Sequence, residues 1–454
     1  MDGRGMNPHA PVCPPDLPPG FRTMSDPPDD ARAPDVDPAR REACNTFWLE
    51  CYQILLRVGW IFKTETIIMP AVLDAVVDSG LLRGLLPVLN RGGQSVPPLL
   101  FSAALARRPL KKWTLVRTSL AMAACFALLA GAWTLLQGSR RELLAGLFLV
   151  LYAAFSTANG LNQLVLAAVQ GKLVPVTRRG RAMLVSATLG SALAIVAALW
   201  LLGPWLAMED GFPLIFTATA AFFALAALFP MLLDERPDAA GDASHPGVRG
   251  PAAFRAGLRD WQRLLATDRG LVRLAVVAAC FSTVIMLFPH YQAFARDRLG
   301  SPLGALLTWV IVQNAATGVV SLFAGPLCDQ RGTQVVLVWL VALSASTPLI
   351  VTGLSLLPHA TAVHWFWIVY VPLGLNPVAL KVFTNYALEL APTAGEHPRY
   401  VSIVGVALAA PFVVSPLVGM AVDLLGFRHV FVAGAAVIAG GAAVAAWLPE
   451  PRRR

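Results

Sequence analysis

The sequence predicts an all-α membrane protein whose twelve transmembrane helices form two pseudo-symmetric six-helix bundles. Hydrophobic residues make up 56% of its 454 residues and charged residues only 14%, against about 25% charged residues in an average soluble domain. Twelve apolar runs are each about 20 residues long, which is enough to cross a hydrocarbon core of about 30 Å. In addition, Gly160-Leu161-Asn162 recurs as Gly374-Leu375-Asn376, 214 residues later.

Two further matches support duplication of a helical unit. Gly190 recurs as Gly405, and Gly211-Phe212 recurs as Gly426-Phe427, in both cases 215 residues later. Each copy falls on the same-numbered helix of its half. Internal repeats of this kind are typical of membrane bundles that enclose a site between two related halves. We therefore expect two stacked bundles with a crevice between them.

The apolar runs give the order of the elements. The first bundle, residues 58–233, has predicted spans at about 58–79, 80–104, 113–137, 143–168, 183–207 and 214–233. The second bundle, residues 271–449, has predicted spans at about 271–292, 304–326, 335–356, 364–388, 400–423 and 429–449. A polar connector at 234–270 separates the two bundles.

The segments outside the bundles are short or polar. Residues 1–44 are rich in Pro, Asp and Arg and contain no long apolar run, which predicts a disordered cytoplasmic tail. Residues 45–57 include Phe47, Trp48 and Tyr52 in an amphipathic pattern. This pattern predicts a juxtamembrane helix that lies on the cytoplasmic face of the membrane. Residues 450–454 form a basic C-terminal tail.

Lys and Arg residues predict the orientation, because short loops rich in them stay on the cytoplasmic side. They are concentrated after the second and fourth helices, in the connector and at the C-terminus, whereas the opposite loops contribute only Arg140, Arg141, Arg296, Arg298 and Arg428. Both termini of a multi-pass protein of the inner cell membrane are therefore expected in the cytoplasm. The net charge of +9 follows from this topology and from contact with the lipid bilayer, so we expect no nucleic-acid partner.

The sequence offers no catalytic or metal-binding motif. Its His and Cys residues are scattered, without an HExxH motif, a CxxC pair or a nucleotide-binding glycine loop. We therefore expect no enzyme activity, no metal and no cofactor.

The loop after the eighth helix carries a family resemblance. Gly325, Asp329 and Gly332 match the G-x-x-x-D-[RK]-x-G signature of major facilitator superfamily transporters, with the basic residue, Arg331, one place late. The equivalent first-half loop keeps Arg107 and Arg108 but lacks the Asp and the Gly. Val174 to Arg181 and Ser415 to Arg428 also resemble superfamily loops.

The resemblance implies a secondary transporter that works by alternating access, with a small solute, coupled to protons, between the halves. It also implies that Asp329 and Arg331, with Arg107 and Arg108 at the equivalent place, form a cytoplasmic gate; a static salt bridge is the alternative. A non-transporting receptor, scaffold or lipid- or pigment-handling subunit, and an exporter of amphipathic compounds, remain alternative functions.

Charged residues inside the spans indicate the cargo, because each costs about 2.5–3.5 kcal/mol at mid-membrane and so faces a partner or a wet cavity. Arg91 lies in the second span, Lys381 in the tenth, and Lys63 and Glu65 in the first. On a continuous helix Lys63 and Glu65 point about 200° apart and cannot pair. In the resembled family, helices one, four, seven and ten line the crevice, which would place Glu65 opposite Lys381.

We therefore expect Glu65 to accept a proton or to pair across a gate, and Arg91 and Lys381 to contact an anionic group of the cargo. The repeated amides Asn162 and Asn376 are predicted to line the same crevice, although such amides more often join helices. A permanent Glu65–Lys381 pair that only locks the helices together is the alternative. The excess of deep cations favours an organic anion as the cargo. We expect the protein to be a monomer.

Overall fold

The computed structural model describes residues 38–106, 108–138, 140–174, 176–208, 210–237, 262–392 and 397–450. Most of the predicted N-terminal tail, most of the connector and the last four residues of the predicted C-terminal tail lie outside these ranges. The regular structure of the described residues is helical.

The first half contains six helical segments. Helix α1 has two parts, α1a (Pro38–Phe62) and α1b (Ile68–Val76), and is followed by α2 (Gly80–Ala106), α3 (Lys112–Leu136) and α4 (Arg141–Leu173). Helix α5 is α-helical over Val176–Ala197, π-helical over Ala198–Leu202 and α-helical again over Gly203–Leu206. Helix α6 (Phe212–Ala226) ends in a 3₁₀ turn at Phe229–Leu232.

The second half repeats this order. It contains α7 (Arg269–Leu299), α8 (Ala305–Arg331), α9 (Thr333–Leu354) and α12 (Phe427–Ala446). Helix α10 is interrupted: His359–Trp365 is followed by a 3₁₀ turn at Phe366–Val369, a single turn at Tyr370–Leu373, and Asn376–Leu390. Helix α11 comprises His397–Ala409, a 3₁₀ turn at Ala410–Val414 and Ser415–Leu425.

Among the described residues, ten helices are long enough and apolar enough to cross a membrane, and these are α3 to α12. Helices α1 and α2 carry Lys63, Glu65, Arg83 and Arg91, and charged residues make a segment less apolar. The prediction of an all-helical membrane protein is confirmed, and the twelve predicted spans are consistent with this arrangement.

The prediction of a separate surface helix at 45–57 is wrong. Helix α1a begins at Pro38 and continues without a break to Phe62, so it also includes the end of the predicted disordered tail. Tyr52 is fully buried, and its hydroxyl donates to Asn162 Oδ1 at 2.9 Å. Of the aromatic residues that suggested an interfacial helix, Tyr52 and the partly buried Trp48 pack into the first half, whereas Phe47 is exposed.

The repeated glycines mark close helix crossings in both halves. A Cβ atom on Gly160 of α4 would lie 2.3 Å from the carbonyl oxygen of Gly93 on α2. A Cβ atom on Gly374 of α10 would lie 2.6 Å from the carbonyl oxygen of Gln313 on α8. In each half the fourth helix therefore crosses the second at a point that only glycine fits.

Two equivalent carboxylates cap the third helix of each half. Glu235, which follows α6, accepts hydrogen bonds from the backbone N–H groups of Lys111 and Lys112 at 3.0 and 2.7 Å. Glu450, which follows α12 and lies 215 residues after Glu235, accepts one from the backbone N–H of Gln334 at 3.1 Å. A carboxylate at a helix N-terminus satisfies N–H groups that have no partner within the helix. Glu235 and Glu450, predicted to lie in the connector and the tail, thus hold their bundles together.

We expect Gly160→Val to lower the free energy of unfolding of the purified protein by about 1–3 kcal/mol, because the added methyl groups collide with backbone atoms of α2. Thermal unfolding in detergent measures this. The matched control is Gly146→Val on the same helix, where a Cβ would meet nothing within 4 Å. Equal stability of the two variants would contradict the close crossing.

Candidate functional site

The first helix is broken where the sequence pattern predicted a continuous span. Residues 63–67 separate α1a from α1b. The Thr64 hydroxyl donates to the carbonyl oxygen of Ile61 at 2.9 Å, a side-chain bond that competes with helix continuation. Pro70 has no N–H group to offer the carbonyl of Thr66, so a helix continued through this point would lose a further bond. The break places polar backbone and charged side chains together inside the bundle.

Lys63 and Glu65 pair across this break. Lys63 Nζ lies 2.7 Å from Glu65 Oε1, with the Lys63 side chain fully buried and the Glu65 side chain 24% exposed. The ammonium group also lies 3.1 Å from the ring centroid of Trp60 and 4.5 Å from that of Phe155, where aromatic faces stabilise a cation. The prediction that Lys63 and Glu65 cannot pair is wrong, because it assumed helical geometry at residues that are not helical.

Glu65 and Arg91 line one cavity between the two halves. The first half contributes side chains from the α1 break, α2 and α4, and the second half contributes α7. The lining residues are Glu65, Leu86, Pro87, Asn90, Arg91, Tyr152, Ile285, Phe288 and Pro289. In this conformation the cavity is narrow, with about 20 Å³ in which a water molecule can be centred.

Arg91 is the least satisfied cation of this cavity. Its buried Nε atom has no hydrogen-bond partner in the part of the chain that the structure describes. Its guanidinium carbon lies 5.9 Å from the ring centroid of Phe412 on α11. The charged groups that act on Glu65 are Lys63 and Arg91. Glu65 and Arg91, two of the predicted site residues, thus lie in the wall of the same cavity with Asn90 beside them, and their roles stay predictions.

Lys381 does not pair with Glu65 in this structure. It is exposed on α10, and the charged group that acts on it is Arg57 of α1a. Arg57 Nε in turn donates to the Ser191 hydroxyl on α5 at 2.9 Å. Arg57 and Lys381, one cation from each half, thus lie close enough for their charges to interact, and the proposed permanent Glu65–Lys381 lock is not formed in this conformation.

Asn162 lies inside the first half, away from the crevice. It is fully buried, and its Nδ2 lies within hydrogen-bond distance of the hydroxyls of Tyr52, Thr118 and Ser119, at 2.8, 3.0 and 3.0 Å, which share its two hydrogens. The amide joins α1a, α3 and α4, so its donors are already used within the first half. Its repeat partner Asn376 donates to the Leu373 carbonyl at 2.9 Å, and its buried Oδ1 has no partner among the described residues.

A cluster of ion pairs joins the halves at the end of the bundle remote from Pro38 and Glu450, the first and last described residues, and we call this the distal end. Arg296 of α7 lies 3.1 Å from Asp74 and 2.8 Å from Asp78 of the first half. Arg83 on α2, whose side chain is 2% exposed, lies 2.6 Å from Asp74, also pairs with Asp78 and lies 3.9 Å from Asp297 of the second half. These five residues form the distal seal.

Tight backbone packing reinforces the distal seal. A Cβ atom on Gly419 of α11 would lie 2.0 Å from the carbonyl oxygen of Gly80 on α2. The backbone N–H of Gly80 donates to Asp423 Oδ2 at 3.0 Å. Nearer mid-depth, the Thr66 hydroxyl donates to Gln313 Oε1 on α8 at 2.7 Å. The distal end is therefore closed to a solute in this conformation.

The predicted gate at the opposite end, where the termini lie, stays a prediction. Arg331 is exposed at the end of α8, and Arg108 is exposed before α3. The side chain of Asp329 and the whole of Arg107 lie outside the described residues.

The match to known families decides what kind of bundle this is. A family model described as the Major Facilitator Superfamily matches residues 95–380. The chain belongs to the Major Facilitator Superfamily. It is accordingly a multi-pass integral membrane protein of a family of solute carriers.

Solved structures of other superfamily transporters share the fold. The nucleoside transporter NupG, in a mutant form, superposes with a TM-score of 0.66 at 12% identity and covers 89% of this chain and 99% of its own. A bacterial homologue of the human lysosomal transporter Spinster, in an inward-facing and unoccupied conformation, gives 0.61 at 13% identity over 89% of this chain and 96% of its own. A D-xylose–proton symporter gives 0.58 at 15% identity, covering 89% of this chain and 99% of its own. At these identities the likeness concerns the fold.

The superfamily match does not identify the cargo. No curated protein matches the chain in sequence. The family match begins after Glu65 and Arg91 and ends just before Lys381. These charged positions therefore have to be interpreted from their own geometry.

Sequence reasoning missed Arg57 and most of the distal seal. Arg57 falls in the predicted surface helix at 45–57, so nothing in the sequence indicates that it lies near Lys381. Asp74 and Arg83, in contrast, lie within the first two predicted spans, and the cost of intramembrane charge would have singled them out.

We expect Arg296→Gln to open the distal seal, because Asp74, whose side chain is 1% exposed, loses one of its two cationic partners. The measurement is labelling of a single cysteine at Gln292, beside the seal, by a membrane-impermeant maleimide added from the distal side of vesicles. Labelling should rise roughly tenfold, which corresponds to about 1.4 kcal/mol. Arg298→Gln, two residues away and outside the distal seal, is the control. Equal labelling of both variants would rule out a sealing role for Arg296.

We also expect a single cysteine at Lys381 to react with a water-soluble maleimide added from the side opposite the distal end, because Lys381 is exposed. A single cysteine at Asn162 should stay unreactive from both sides, because that position is sealed among α1a, α3 and α4. Both proteins would lack the native cysteines and be checked for monodisperse elution. Reaction at position 162 would show that this position is accessible from the crevice and would contradict its placement inside the first half.

Proposed function

We propose that this superfamily member is a proton-coupled secondary active transporter of a small organic anion. It would act as a monomer in the inner membrane by alternating access, with both termini in the cytoplasm. The observation that carries this proposal is the charge balance of the crevice. Among the described residues, Arg91 lines the cavity with Glu65, Lys63 pairs with Glu65, and Arg57 and Lys381 act on each other, so four cations accompany one carboxylate.

Arg91 supports an anionic cargo. A guanidinium in apolar surroundings is costly unless it is paired, and Glu65 is already engaged by Lys63. A carboxylate, phosphate or sulfonate of the cargo would fill the remaining donor positions, and the planar guanidinium binds such groups in bidentate fashion. An uncharged solute would leave the positive charge of the crevice unbalanced.

Proton coupling follows from the position of Glu65. Protonation of Glu65 removes the one negative charge among the described residues that line the cavity and so raises the positive charge of the cavity by one. An anion then binds more tightly and, by linkage, a bound anion favours protonation. The proton and the anion would therefore enter together. The D-xylose–proton symporter indicates that the fold can support such coupling.

The like charges at Arg57 and Lys381 would connect cargo to the conformational change. Their repulsion opposes closure at the end where the termini lie. An anion between them would remove that repulsion, and Asp329 with Arg331, and Arg107 with Arg108, would then form the contacts of the closed gate. At the same time the distal seal would have to break, as a rocking motion of the two halves requires.

We expect proteoliposomes loaded with a pH-sensitive dye to acidify on addition of organic anions, with lactate and succinate as first probes. Xylose and uridine, which are uncharged, should give no signal. Glu65→Gln should abolish proton movement, because the amide cannot exchange a proton; monodisperse elution of the purified variant is checked first, since Lys63 loses its carboxylate partner. Acidification that persists unchanged in Glu65→Gln would assign coupling to another group.

We further expect Arg91→Gln to raise the KM for the transported anion roughly tenfold or more, since one charge-assisted contact contributes about 1.5–3 kcal/mol. The matched control is Arg117→Gln, an exposed cation on α3. Transport of xylose or uridine in the absence of any anion signal, or equal KM values for the two variants, would overturn the anion assignment.

A further inference from the structure

The second half contains a large cavity at its distal end, separate from the crevice. It is formed by the ends of α7, α9, α10, α11 and α12, and water molecules can be centred over about 440 Å³ of it. The space exceeds that of the central cavity, about 20 Å³, by far. This distal cavity takes no part in the transport cycle proposed above.

Four basic side chains line the distal cavity. They are Arg298 at the end of α7, His359 at the start of α10, and Arg428 and His429 in the first turn of α12. All four are exposed. None of the described residues that line the distal cavity is acidic. The first turn of α12, a helix of 20 residues, adds to the positive potential, since its axis presents N–H groups there.

Neither topology nor duplication accounts for this concentration of charge. The distal loops are poor in Lys and Arg, as the orientation predicted above requires, yet two of their few arginines converge here. In the first half, the positions equivalent to Arg428 and His429 are Pro213 and Leu214. The basic residues Arg428 and His429 are therefore present at this repeated helix start in the second half only.

Apart from Ser355, the remaining walls of the distal cavity are apolar. Phe294, Leu299 and Ala362 are buried and line it together with Phe427 and Leu357. His429 Nδ1 lies 2.8 Å from the carbonyl oxygen of Leu425, which orients its ring. Cations at the rim and aromatic and aliphatic groups at the walls match a ligand that has an anionic head and an apolar body.

We infer that the distal cavity binds a phosphate ester with an apolar substituent. Arg298 and Arg428 bind the phosphate oxygens through their guanidinium groups, a ring N–H of His359 donates a further hydrogen bond, and Phe294 and Phe427 contact the apolar part. The same chemistry is offered by the headgroup of an anionic phospholipid and by a soluble alkyl phosphate.

The test compares three versions of the full chain, purified in detergent and stripped of lipid. These are the wild type, R298Q/R428Q, and the control R140Q/R141Q, which removes two distal arginines from the first half. Native mass spectrometry measures binding of phosphatidylglycerol, and thermal stabilisation measures binding of hexyl phosphate.

We expect the wild type and R140Q/R141Q to bind equally well and R298Q/R428Q to bind at least roughly tenfold more weakly, because two charge-assisted contacts are lost. A difference with phosphatidylglycerol assigns the site to lipid, and a difference with hexyl phosphate alone assigns it to a soluble ester. Equal binding of both ligands by all three proteins overturns the inference. Should R298Q/R428Q fail to fold, R298Q and R428Q singly decide in the same way.

Discussion

A charged side chain buried in an apolar bundle needs a partner within reach, and the arrangement of the first half depends on how Lys63 meets that need. A continuous helix would have turned Glu65 away from it. The break between α1a and α1b gives up regular helix and allows the 2.7 Å contact, with Lys63 beside the C-terminal end of α1a and Glu65 beside the N-terminal end of α1b, where the helix ends stabilise these charges. The same break exposes Glu65 to the cavity that Arg91 shares.

The central cavity and the distal seal are connected through one helix. Pro289 of α7 lines the cavity, and Arg296, two turns further on, holds Asp74 and Asp78. A shift of α7 therefore acts on both places at once. Arg83 and Asp74 are almost completely buried, and the packing of such a dense interface would favour a distal seal that is either formed or broken.

The sequence predicted the bundle well and the site only in part. Apolar run length gave the helices, and the repeated Gly160 and Gly374 turned out to sit at equivalent crossings, because backbone proximity tolerates no other residue. The break at residues 63–67 escaped prediction, since an apolar run does not show where a helix stops. The proximity of Arg57 to Lys381 depends on how the two halves pack against each other. No local sequence pattern predicts this packing. Asn162 shows the converse: its repetition reflects shared architecture, and its hydrogen bonds to Tyr52, Thr118 and Ser119 are internal.

The carboxylate of Glu450 gives the segment after α12 a structural role. It holds the start of α9, and the adjacent Pro449 carbonyl accepts a hydrogen bond from Tyr386 of α10. Proteolytic trimming at this point would therefore loosen three helices together. A purification tag or fluorescent fusion joined directly after α12 would compete with the same contacts, so fusions are better joined beyond Glu450 through a flexible spacer.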